Sequence, residues 1–219
     1  MGLYYRVSHG QSKNTLYAPT ILNREDAFLS NCPKCGRVRF NDSNRKLSLL
    51  IEGDGAMPDL LHCGHFPLTI VSERVLSAWE GARLSGFESY PVNLFFEGGK
   101  EISHPQYYYI VITGRAELDF QKMGVEITGT CDVCGVVDYD RPTWEFGEAI
   151  MKDESYDGSD LFVFKYFESS VTCSIKVLET VYRKRLTNFR FSEFESRFEC
   201  FAQKPDIKLK ELFTKESIR

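Results

Sequence analysis

Apolar positions along this chain switch between a strand-like period of two and a helical period, and they do so twice. Leu3 to Val7 and Tyr107 to Ile112 are rich in β-branched and aromatic side chains and predict strands. Val125 to Thr130 predicts a third, running directly into a pair of cysteines. Thr69-Ile70-Val71 is short and extended, after which Ser72 can cap a helix through Arg83, with Val75, Leu76 and Trp79 as one apolar stripe. A second helix starts near Ser174, with Val177, Leu178 and Val181 on its inner face. After the helices, Leu84-Ser85-Gly86-Phe87 and Leu186-Thr187-Asn188-Phe189 read as turns into strands, and Gly86 and Asn188 suit a left-handed helix stop. Gly98-Gly99 and the polar segment from Asp153 to Ser159 predict surface loops, the glycine pair being the best linker between halves.

These elements recur in order. Asp59-Leu60, Phe66, Ser72, Val75-Leu76, Leu84 and Phe87 have counterparts at Asp160-Leu161, Phe167, Ser174, Val177-Leu178, Leu186 and Phe189. The offset is 99 for two cysteine pairs, 101 for Asp-Leu and the first Phe and 102 for the rest, so insertions of two residues and then one explain the drift. The expected fold is α+β, built of two related strand-helix-strand halves joined by a shared zinc-knuckle site. The first half spans residues 1–99 and the second 100–219, together forming one compact unit.

Each half carries one CxxCG word: Cys32-Pro33-Lys34-Cys35-Gly36 and Cys131-Asp132-Val133-Cys134-Gly135, offset by 99. Two residues between cysteines let both sulfurs face one cation, and the glycine can take the positive φ of the turn's exit. One pair supplies two ligands where a structural zinc ion needs four, so Cys32, Cys35, Cys131 and Cys134 are expected to share one Zn2+. Such an ion would staple distant segments together. The rival reading is a redox pair, which normally opens a helix after a strand and appears once; two copies, each followed by glycine, fit knuckles better.

Composition narrows the classes. With 219 residues, 42% hydrophobic and 14% aromatic, the chain can bury a core without metal. A net charge of −4 argues against nucleic acid as the partner, despite the knuckles. The basic runs Arg183-Lys184-Arg185 and Lys204 to Lys210 read as a helix end and a charged tail. No export-signal pattern, membrane-length apolar run or myristoylation signal is seen, so reduced thiols and a cytoplasmic location are expected.

Catalytic patterns are scarce. His62-Cys63-Gly64-His65 is the one histidine cluster and could supply a second metal site or a Cys–His nucleophile pair, giving a zinc-dependent enzyme as the alternative. The second half has Val163, Phe164 and Tyr166 near the equivalent positions, which favours a core strand with incidental histidines. Cys173 and Cys200 sit in apolar contexts that suit inert core thiols. There is no phosphate-binding glycine loop, HExxH or G-x-S-x-G word. A zinc-knuckle adaptor protein is the third class.

The paired CxxCG words, Asp160-Leu161-Phe162 and Leu186-Thr187-Asn188-Phe189-Arg190-Phe191 resemble the double-CxxCG proteins, with the likeness spread from Asn31 to about Phe194. These are paralogous bacterial proteins that include immunity proteins of polymorphic or contact-delivered toxin systems. The resemblance implies a non-enzymatic inhibitor that binds a cognate protein toxin in the cytoplasm, with Cys32, Cys35, Cys131 and Cys134 matching the family motif. For such an inhibitor, the acidic loop Asp153, Glu154, Asp157 and the run Tyr107-Tyr108-Tyr109 are candidate contacts, set against a solvated loop and a half-buried strand.

Overall fold

The structure, a computed structural model, describes residues 4–9, 16–23, 29–40, 47–53, 55–63, 69–194 and 207–216. The first half contributes β1 (Tyr4–His9), β2 (Tyr17–Ile21), β3 (Leu29–Asn31), β4 (Val38–Phe40), β5 (Leu47–Glu52), β6 (Leu60–Cys63), β7 (Thr69–Ser72), α1 (Glu73–Gly81) and β8 (Phe87–Phe96). The second contributes β9 (Glu101–Ile112), β10 (Gly114–Ala116), β11 (Ile127–Thr130), β12 (Val137–Tyr139), β13 (Leu161–Phe164), β14 (Phe167–Ser174), α2 (Ile175–Arg183), β15 (Phe189–Glu193) and α3 (Leu209–Glu216). Helix and strand coexist as expected of an α+β chain, but strands predominate, and six of them close into a barrel that the sequence pattern did not announce.

The barrel order is β2-β5-β8-β9-β7-β6, and a second, open sheet has the order β10-β13-β14-β1-β15. In the barrel, β2 runs parallel to β6, and β6, β7, β9 and β8 then pair antiparallel in turn. In the open sheet, β10 runs parallel to β13, and β13, β14, β1 and β15 pair antiparallel in turn. Registers match as well: Ser72 faces Tyr107 where Ser174 faces Tyr4, and Phe87 faces Ile112 where Phe189 faces His9. Strand β5, parallel to β8 and antiparallel to β2, closes the barrel and has no counterpart in the open sheet. Gly98-Gly99 forms the turn of the β8–β9 barrel hairpin, so the connection between the halves is part of a sheet instead of a linker.

Helix α1 starts where Ser72, extended at φ −70 and ψ 158, accepts a hydrogen bond from the Val75 N–H at 3.4 Å. Its predicted stripe is buried, as is that of α2. Both helices stop one turn before the predicted left-handed residues. Arg83 (φ 53) and Arg185 (φ 50) already take positive φ, and Gly86 (φ 89) and Asn188 (φ 67) turn the chain again into the following strand. Gly86 also packs against the second half: a Cβ there would lie 2.0 Å from the Leu161 carbonyl oxygen.

Three cores result. The barrel interior holds Leu47, Leu49, Ile51, Ile70, Leu94, Tyr107 and Tyr109. Between barrel, open sheet and helices lie Trp79, Val177, Leu178, Ile110, Leu161 and Phe191. Trp79 meets Phe87 edge-on at 5.3 Å and Phe189 at 6.3 Å, so one indole binds the equivalent phenylalanines of both halves. Truncating a buried tryptophan of this kind costs about 3–5 kcal/mol. The third core, Phe146, Phe162, Phe164, Phe167 and Phe194, lies on the far face of the open sheet.

Candidate metal centre

Two short ribbons carry the cysteines: β3–β4 around the first CxxCG word and β11–β12 around the second. Each word folds identically. The Gly36 N–H donates to the Cys32 carbonyl at 2.8 Å and the Cys32 N–H to the Arg37 carbonyl at 2.8 Å; the Gly135 and Cys131 N–H groups bond Cys131 and Val136 at 2.7 and 2.9 Å. Gly36 and Gly135 take φ 71 and 70, the exit conformation for which glycine is suited.

The tips face each other. Sγ of Cys32 lies 3.8 Å from Sγ of Cys131, and Sγ of Cys35 lies 3.5 Å from Sγ of Cys134, each pair 99 residues apart in sequence. All four sulfurs lie within 4.8 Å of one another. A disulfide needs about 2.05 Å, and these cysteines are free thiols. Tetrahedral zinc with bonds of about 2.3 Å spaces its sulfurs about 3.8 Å apart, which the observed pairs approach. Four thiolates also complete that tetrahedron, leaving no open position for a substrate. The cluster could therefore hold a metal ion of the structural kind.

Charge is unevenly spread over the four thiols. The Cys32 thiol is lowered to about 6, foremost by the backbone N–H of Cys35, and Cys131 is lowered by that of Cys134. Cys134 is pushed up to about 12: the Val136 N–H lowers it, but burial and the neighbouring sulfurs outweigh that bond. Negative charge gathered at one sulfur makes its neighbours hold their protons, and a dication would remove that constraint.

Two polar links between the knuckles escaped the sequence reading. Lys34 Nζ reaches both carboxylate oxygens of Asp132 at 2.8 Å. Arg37 bonds the Asp138 carboxylate and, at 3.1 Å, the Val137 carbonyl. These pairs are exposed and stabilise by roughly 0–1 kcal/mol each. The signal was legible in principle for the first link, as the opposite charges of Lys34 and Asp132 inside the two CxxC words.

The remaining candidates separate. Cys63 is buried in the barrel core, and His62, its neighbour on β6, points to the other face of the strand, so the two do not form a nucleophile–base pair. Burial lowers the His62 pKa. His65 and Cys200 lie outside the described residues. Cys173 is fully buried in the central core, and burial raises its thiol well above the ordinary value. Tyr107 and Tyr109 fill the barrel and Tyr108 packs on the helix side, so this run is core and not a contact surface. In the acidic loop, Asp157 accepts from the Arg115 N–H at 2.8 Å and the Ser159 N–H at 2.9 Å, while Asp153 and Glu154 are exposed on a 3-10 turn.

Among the described residues no helix is long and apolar enough to cross a membrane. The family model of the immunity protein family Imm11 matches residues 18–196, well over half of the chain. The chain belongs to the Imm11 immunity protein family. No curated protein matches it.

Proposed function

We propose that this protein binds and neutralises a cognate protein toxin in the cytoplasm, and that Cys32, Cys35, Cys131 and Cys134 hold a structural Zn2+ ion. Membership of the Imm11 immunity family carries the first part. The convergence of four sulfurs from two knuckles supports the second. Neutralisation of this kind is steric: a rigid surface occupies the toxin's working cleft or blocks a motion it needs, without turnover.

The architecture supports that reading. Strand β1, from residues 1–99, lies in the open sheet, and β9, from residues 100–219, lies in the barrel; we read this as two related halves that exchange a strand. An ion between the knuckles closes a long loop in such a body, and its binding free energy becomes folding free energy.

The test is co-expression with the toxin encoded by the adjacent open reading frame. Growth is expected to be restored by this chain and the two proteins to co-purify, with one zinc per chain by elemental analysis. Unrestored growth would remove the neutralising role; metal-free protein with four reduced thiols would remove the ion.

A further inference from the structure

Two sulfur–sulfur contacts run between the knuckles, Cys35 to Cys134 at 3.5 Å and Cys32 to Cys131 at 3.8 Å. Each takes one cysteine from the β3–β4 ribbon and one from the β11–β12 ribbon. The two contacts differ in access. Cys32 is 2% exposed and closes the buried side of the cluster, whereas Cys35 is exposed and Cys134 half-buried. A small solute therefore reaches the Cys35–Cys134 pair first. Cys63 and Cys173, at 5% and 0% exposure, are shut inside their cores.

We propose that Cys35 and Cys134 are a site of oxidative modification that takes a hydroperoxide, and that their disulfide replaces the ion as the link between the knuckles. The proposal rests on the zinc reading above for the ion released; the bond itself needs only the contact. The Cys35 thiolate attacks one peroxide oxygen, the O–O bond breaks, and hydroxide leaves a sulfenic acid on Cys35. The Cys134 thiolate then attacks that sulfur. The S–S bond forms, the S–O bond breaks and a second hydroxide departs. Two thiolates lose two electrons and the peroxide gains them. The sulfurs have about 1.5 Å to travel, from 3.5 Å to a bond of about 2.05 Å.

Which cysteines pair decides what oxidation does to the molecule. A bond within either CxxC word would close a single turn and leave the ribbons unconnected. The bond between Cys35 and Cys134 joins positions 99 apart, and the constraint that a disulfide places on the unfolded chain grows with the loop it closes. Two thiols remain after it forms, too few for a four-coordinate structural site. Oxidation thus empties the site and keeps the staple.

The test treats zinc-loaded wild type with equimolar hydrogen peroxide, follows released zinc with a chromogenic chelator, and maps alkylated, non-reduced peptides by mass spectrometry. Free thiols are expected to fall from seven to five, with one zinc released per chain and the Cys35 and Cys134 peptides joined. Cys63 and Cys173 are expected to stay reduced. The product should melt above reduced protein stripped by a chelator, and a thiol reductant with added zinc should restore the starting form. A bond within Cys32–Cys35 or Cys131–Cys134, unchanged thiols with zinc retained, or a linked product that melts no higher than stripped protein would overturn the proposal. Protein that is purified without zinc yet forms the Cys35–Cys134 bond would remove the ion and uphold the modification site.

Discussion

The Asp59 carboxylate accepts hydrogen bonds from the backbone N–H and the hydroxyl of Thr187, at 2.7 and 3.0 Å, across 128 residues of chain. Asp160 does the same in reverse, taking the Ser85 N–H at 3.2 Å and its hydroxyl at 3.3 Å. Each aspartate also receives the N-cap serine of its own helix, Ser72 or Ser174, at 2.8 Å. Each buried carboxylate thus ties the start of one helix to the turn that follows the other helix.

Asp59 further receives the Arg74 guanidinium at 2.7 Å, whereas Lys176 stands 3.5 Å from Asp160. Removing a buried carboxylate strands several donors at once. We expect Asp59→Ala to cost about 3 kcal/mol, seen as a lowered urea midpoint. Asp160→Ala should cost less because its cation is more distant. Equal and negligible losses in both variants would show that the pairings are incidental.

The barrel and the open sheet are expected to separate in hydrogen exchange. Arg6 sits in the middle of β1, facing Thr172 and Ser192, and Tyr108 holds the matching place in β9, facing Val71 and Pro91. Proline removes a ladder bond and disrupts a central strand. Arg6→Pro is expected to expose residues 167–174 and 189–193 first, and Tyr108→Pro residues 69–72 and 87–96. The opposite assignment would contradict these pairings.

Metal and fold are expected to fail together. Cys131→Ser should lose its zinc and melt several degrees lower, and wild type stripped by a chelator should melt at the same temperature as the variant. Lys34→Ala, which removes only an exposed pair, should change stability by less than about 1 kcal/mol. A chelator that lowers the melting temperature of the serine variant as much as that of wild type would show the effect to lie elsewhere.

Acid should weaken the third core's surroundings. Lys165 holds the Glu117 carboxyl below its ordinary value, and the Lys122 N–H does so for Asp119. At Asp157 burial opposes the shift, but the Ser159 and Arg115 groups prevail. Folded carboxyls that titrate below their unfolded values stabilise fully above the unfolded pKa, about 4, and lose that contribution as pH falls through the folded values. The part of the melting temperature that these carboxylates supply is therefore expected to be level from pH 7 to about 5 and to fall below about 4. Asp119→Asn should reduce that fall.

Much of the local structure was legible from residue order. Ser72 and the Val75-Leu76-Trp79 stripe marked α1, and Val177-Leu178-Val181 marked α2. The CxxCG words marked two turns, because ligand spacing and glycine φ are local demands. The recurrence of Asp-Leu and Ser gave the order of elements, although not the role of the aspartates, whose partners lie in the other half.

Partnership between strands was not legible. Leu47–Glu52 alternates buried and half-buried residues and would serve equally in any sheet, yet here it closes a barrel. A period of two tells a strand which face to bury and nothing about its neighbours. That ambiguity is why Tyr107-Tyr108-Tyr109 could be read as surface although packing buries Tyr107 and Tyr109 in the barrel.

Residue order alone set the two helices, the Ser72 cap and the CxxCG turns, since each depends on side chains a few positions apart. Packing alone decided that β1 joins the open sheet and β9 the barrel, that the barrel closes, and that sulfurs 99 residues apart meet at 3.5–3.8 Å. Those outcomes require hydrogen-bond and apolar partners from distant segments, whose selection is a property of the assembled core and not of any stretch within it.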